Sequence, residues 1–99
     1  MESLRFMEDS MEQRFFITSE YGLHARPASK LVHLAMNYPC EVTLIWQNKS
    51  INLKSIMGLM SLGIYHGETV LIQTQGEQED KALEAITDFL VAEHIGRIL

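Results

Sequence analysis

Apolar and polar residues alternate from Gln13 to Ser19, with Phe15 and Ile17 on one face and Phe16 and Thr18 on the other. That period of two predicts a half-buried strand. After a turn at Glu20-Tyr21-Gly22 the period lengthens. Ala28, Leu31, Val32 and Ala35 recur at helical spacing, which predicts a helix from Ala25 to about Asn37, with Pro27 in its first turn and Asn37-Tyr38-Pro39 as its stop. Alternation returns over Glu41 to Gln47 with Val42, Leu44 and Trp46 on one face, then a turn at Asn48-Lys49 and a short return strand from Ser50 to Leu53. Ser55 to Leu62 reads as a short apolar helix, with Gly58 against it and Gly63 as a stop. Glu68 to Gln75 alternates with Val70 and Ile72 inward, Gly76 breaks it, and Gln78 to about His94 carries the last helical stripe, Ala82, Ile86, Phe89 and Leu90. Glu79 and Asp80 suit the positive N-terminal end of that helix.

The order β-α-β-β-α-β-α predicts an α+β fold, a two-layer sandwich in which a four-stranded antiparallel sheet is covered on one face by three helices. At 99 residues the chain has room for one modest core. Residues 1–11, with three methionines and no pattern of their own, read as a poorly ordered extension ahead of a domain over residues 12–99.

Charge and cysteine content narrow the function. A net charge of −5 gives no field for a phosphate backbone, so nucleic acid is an unsuitable partner, although a basic patch on another protein suits it. The single cysteine, Cys40, excludes an internal disulfide and fits a reducing cytosol. No stretch has the length of a membrane span, and Glu2, Glu8 and Asp9 rule out a secretory signal, so a cytoplasmic location is expected. His33, His66 and His94 form no metal-ligand motif and read as surface residues, Cys40 as a packed thiol, and Trp46 as core or strand-edge cover. No glycine-rich nucleotide loop is present, and no cofactor is expected.

The most informative stretch is Gly22-Leu23-His24-Ala25-Arg26-Pro27-Ala28. It places an imidazole at the start of a helix, where backbone N–H groups lack internal partners and the field is positive. An anion is stabilised there, and Arg26 adds a guanidinium able to make paired hydrogen bonds to phosphate. Imidazole ordinarily titrates at about pH 6.5, and in its neutral form it is a competent nucleophile. His24 can therefore attack phosphorus and form a phosphoryl group beside waiting donors. The same placement also suits a plain helix cap, a task at which histidine is mediocre.

This stretch resembles the active-site signature of the HPr family, the histidine-containing phosphocarriers of the bacterial phosphoenolpyruvate-dependent sugar phosphotransferase system. Asn52-Leu53-Lys54-Ser55-Ile56-Met57-Gly58-Leu59-Met60-Ser61-Leu62-Gly63 is similar to that family's regulatory-serine signature, in the same order and at the same separation. The resemblance spans about residues 12–92. It implies an open-faced β-sandwich. It also implies that His24 is phosphorylated at its δ nitrogen by phosphorylated enzyme I and passes the group to enzyme II A domains, with Arg26 neutralising the phosphate and Pro27 setting the first helical turn. Ser55 matches the serine phosphorylated by HPr kinase/phosphorylase in low-GC Gram-positive bacteria, a modification tied to carbon catabolite repression through a catabolite control protein. Leu23, Ile56, Met57 and Met60 match an exposed apolar docking patch. A regulatory paralogue in the family lacks the histidine; its presence here favours the transporting form. Tyr21 is bulkier than the small polar residue often found before that glycine, and the N-terminal segment and Ile95–Leu99 lie beyond the usual pattern.

Read from its own position, Ser55 is a good N-cap for the short helix, a role that needs no kinase. A phosphate there would put about −2 charges beside Ile56, Met57 and Met60 without unfolding the helix. Three functions follow: a phosphocarrier that is a monomer, a regulator acting through phospho-Ser55, and a binding module without phosphoryl chemistry.

Overall fold

The computed structural model describes residues 10–99. The expected extension lies outside these residues as far as Asp9, but Met11 does not belong to it: this residue opens the first strand and pairs with Thr74. The elements are β1 (Met11–Ile17), α1 (Ala25–Ala35), β2 (Glu41–Trp46), β3 (Lys49–Asn52), α2 (Ile56–Met60), β4 (Thr69–Gln75), α3 (Glu79–Ala92) and β5 (Gly96–Ile98). They form a five-stranded antiparallel sheet in the order β3-β2-β4-β1-β5, with the helices on one side.

The alternation seen in the sequence decides which face is covered. Val42, Leu44 and Trp46 of β2 and Val70, Ile72 and Thr74 of β4 are buried beneath the helices, while Thr43, Ile45, Leu71 and Gln73 lie half-buried on the open face. Phe15 and Ile17 meet Leu31, Leu53, Ile86 and Leu90 in one continuous core. Burying an apolar side chain of this size contributes about 1.5–3 kcal/mol. The buried Thr74 is satisfied, since its Oγ1 donates to the carbonyl of Glu79 at 2.9 Å. The carboxylate of Glu79 in turn accepts the N–H of Gly76 at 2.9 Å, so the start of α3 is tied to the end of β4 from both directions.

Two expectations need correction. The hairpin between β2 and β3 turns at Gln47-Asn48 rather than Asn48-Lys49, because Lys49 already pairs with Trp46. Gln47 takes φ +57°, a conformation its side chain does not advertise. The fifth strand was not expected. Gly96, Arg97 and Ile98 pair with Ile17, Phe16 and Phe15, closing the edge that β1 would otherwise leave unpaired. Gly96 permits the approach, since a Cβ there would stand 3.2 Å from the carbonyl oxygen of Phe16, and the Arg97 guanidinium lies 4.9 Å from the Phe16 ring centroid.

Cys40 is buried at the start of β2, against Gly76. Burial raises its thiol above the ordinary value, with Lys54 opposing. In the native state Cys40 is expected to resist iodoacetamide at neutral pH and to react fully once the chain is unfolded; rapid native alkylation would contradict this placement. Because the folded thiol has the higher pKa, its contribution to stability is intact below about pH 9 and is lost as the pH rises through the folded value.

Candidate functional site

The loop between β1 and α1 is fixed before it reaches the helix. The N–H of Gly22 donates to the carbonyl of Ser19 at 3.0 Å, and that of Leu23 to the carbonyl of Ile64 at 3.0 Å. Gly22 takes φ +68°, and a Cβ on it would collide with the carbonyl oxygen of Ile64 and stand 2.8 Å from Cα of Tyr65. Glycine is therefore required by both conformation and space. The effect is to clamp this loop onto the loop after α2. Leu23 closes the clamp from inside: it is 7% exposed and belongs to the core, so it is not part of an exposed docking patch.

His24 follows as the N-cap of α1, with extended backbone (φ −85°, ψ −177°). Its carbonyl starts the helix by accepting the Ala28 N–H at 3.0 Å, but its side chain makes no capping bond. The imidazole is exposed. Pro27 has no N–H, the first turn holds no acidic residue, and among the described residues the N–H groups of Ala25 and Arg26 have no backbone partner. The helix start is thus left with open donors and a positive field beside a free ring nitrogen.

Arg26 and Lys30 stand one turn apart on the same side of α1. Both line a cleft of about 180 Å³ with His24, together with Ser19, Pro27, Phe89, Glu93 and Ile95. Sequence reading found His24, Arg26 and Pro27. It missed Lys30, for which the i, i+4 spacing from Arg26 was a usable signal, and Glu93, which only the docking of α3 brings near. Tyr21 is 73% exposed, and its ring centroid lies 6.2 Å from that of His24 with the planes at 88°.

The other histidines offer nothing comparable. His33 sits on α1 with Nδ1 2.9 Å from the Ser29 carbonyl, His66 lies in the loop before Gly67, and His94 follows α3 at φ +57°. Among the described residues no group of three His, Cys, Asp or Glu side chains is arranged to hold a metal, and no helix is long and apolar enough to cross a membrane.

Ser55 is the N-cap of α2, and its Oγ accepts the Gly58 N–H at 3.1 Å. A cap of this kind contributes about 1 kcal/mol. Gly58 keeps it open, since a Cβ there would crowd Oγ at 3.3 Å. The approach is set by Asn52, whose Oδ1 accepts the Lys54 N–H at 2.9 Å, and by Lys54, whose Nζ donates to the Tyr38 carbonyl at 2.6 Å. Beyond Ser55, Ile56, Met57 and Met60 are 39%, 81% and 42% exposed, while Leu59 faces the core. The short helix that carries this apolar patch packs against α1, the helix that His24 begins.

The family model described as "PTS HPr component phosphorylation site" matches residues 11–92. The chain belongs to the HPr family. HPr structures from Mycoplasma and Bacillus anthracis share its fold. The first is 36% identical, covering 87% of this chain and 98% of its own, with a TM-score of 0.85. The second is 34% identical, covering 82% and 96%, with a TM-score of 0.77. Crh of Bacillus subtilis, the catabolite repression HPr, is 42% identical over 78% of this chain and 87% of its own, with a TM-score of 0.66. The family is that of the phosphocarriers of the phosphotransferase system.

Proposed function

We propose that this HPr relays a phosphoryl group through His24 in the cytoplasm, receiving it from phosphorylated enzyme I and giving it to enzyme II A domains. The observation that carries the reading is an exposed imidazole with no capping bond, set at a helix start whose first N–H groups are open and whose first turn carries Arg26. In the step itself the Nδ1 lone pair attacks phosphorus. The bond between phosphorus and the donor atom of enzyme I breaks, and the donor keeps that electron pair. Nε2 of His24 retains its proton, so positive charge grows on the ring as the oxygens of the phosphoryl group settle against the Ala25 and Arg26 N–H groups and the guanidinium. Transfer onward is the same step reversed toward a new nucleophile. Ile56, Met57 and Met60 serve as the adaptable surface on which the partners dock.

A second reading concerns Ser55, favoured by its place as a half-buried cap beside that exposed patch. Phosphorylation by HPr kinase/phosphorylase would place about −2 charges there, weakening apolar or acidic partners and recruiting a basic surface such as that of a catabolite control protein. The domain proper runs from the first strand onward and acts as a monomer. Intact-mass analysis after incubation with enzyme I and phosphoenolpyruvate tests the relay: one acid-labile phosphate supports it, and none defeats it. For Ser55, incubation with the kinase and ATP should add one acid-stable phosphate that Ser55→Ala lacks, and an unchanged affinity for every partner after that modification would remove the regulatory role.

A further inference from the structure

We infer that Tyr21 is a positioning residue for phosphoryl transfer, holding the His24 imidazole in the orientation that meets phosphorus; this rests on the relay proposed above. The ring of His24 makes no capping bond and has no hydrogen bond among the described residues to fix its rotation. Among the described residues its one aromatic neighbour is Tyr21, with centroids 6.2 Å apart and planes at 88°, the edge-to-face arrangement aromatic pairs prefer. A tyrosine 73% exposed gains little from burial, so its own packing does not explain its place.

The backbone beneath it does. Gly22 is pressed against Ile64 and Tyr65, and the N–H groups of Gly22 and Leu23 are both bonded, so the chain from Ser19 to Leu23 has one path. Tyr21 is delivered to the imidazole by a rigid loop on one side, and His24 by the start of α1 on the other. A ring held this way loses less freedom on reaching the attacking geometry, and a misplacement of about 1 Å at a reacting group costs about a hundredfold in rate. The contact therefore acts on the transfer step and not on the docking of partners, which falls to the methionine patch.

The experiment compares the parent chain with Tyr21→Phe and Tyr21→Ala in two measurements. The first is the single-turnover rate of phosphoryl uptake from phosphorylated enzyme I across a range of enzyme I concentrations. The expected result is a saturating rate about three- to tenfold lower for Tyr21→Ala, an unchanged half-saturating concentration, and recovery to within about twofold in Tyr21→Phe. The second is the pattern of nuclear Overhauser contacts of the His24 ring protons, which needs no phosphate. A single ring orientation is expected in the parent and in Tyr21→Phe, and averaging between orientations in Tyr21→Ala. An unchanged saturating rate, or a change confined to half-saturation, overturns the inference, as does an unaltered ring pattern in Tyr21→Ala. If the parent itself takes up no phosphate, the relay falls and this inference with it; if the parent transfers and Tyr21→Ala matches it, only Tyr21 loses its role.

Discussion

His24→Ala is expected to take up no phosphoryl group from enzyme I and phosphoenolpyruvate under conditions that label the parent chain fully, while folding as the parent does. The two halves of that expectation have separate causes. In the proposed relay the imidazole is the nucleophile, exposed at the helix start with no capping bond. Structurally it is dispensable: it is exposed and caps nothing, so its removal belongs with surface substitutions, whose cost is about 0.5 kcal/mol or less. Thermal unfolding should then shift by about 4 °C at most. Arg26→Ala keeps the nucleophile and removes the charged donor, so it should slow uptake by about tenfold to a hundredfold without abolishing it. Acid-labile labelling of His24→Ala at the normal rate, mapped to His33, His66 or His94, would move the site elsewhere.

The second large effect is expected at a residue that touches no phosphate. Gly22→Ala should lower stability by about 2–5 kcal/mol and slow phosphoryl uptake. Its φ of +68° penalises any side chain, and the added carbon would meet backbone atoms of Ile64 and Tyr65 that have no flexible end to move aside. Relief requires the two loops to part, which breaks the bond from Leu23 N–H to the Ile64 carbonyl and releases Tyr21 and His24 together. Gly67→Ala is the control. It has φ +90° and nothing within 4 Å of the added carbon, so it carries the backbone penalty without the collision. Chemical denaturation of both variants separates the two contributions, and equal losses would show that the loops yield easily.

These expectations draw on parts of the molecule that differ in how openly the sequence displays them. Phe15, Val42, Leu44, Val70 and Ile72 were legible as one buried face because a half-buried strand repeats every two residues, and that pattern survives in the chain itself. His24 and Arg26 were legible for another reason: a helix start is a local feature, fixed by the few residues around Pro27. β5 was not legible, because three residues have no period and their partner β1 lies some eighty positions earlier. Leu23 was placed in the docking patch by resemblance alone, and its burial depends on the Ile64 loop, some forty positions on in the chain, closing over it. The Gln47 turn was missed by one residue because its positive φ is imposed by the pairing of Trp46 with Lys49, not by its own chemistry. Glu93 enters the cleft only with α3 in place, whereas Lys30 is set beside Arg26 by the helix that carries both.

The direction of β1 and β5 has a practical side. β1 runs toward the loop that carries His24, and β5 runs back from it, starting where Gly96 faces Ile17 and ending where the Leu99 N–H reaches the Arg14 carbonyl. Ser10 therefore sits at the end of β1 remote from the His24 loop, about 20 Å away along a strand of seven residues, while Leu99 lies beside Arg14, about half that distance from it. A tether, fluorophore or solid support attached through Ser10 would leave the His24 rim turned outward, so that the proposed relay could be reconstituted on an immobilised chain one partner at a time.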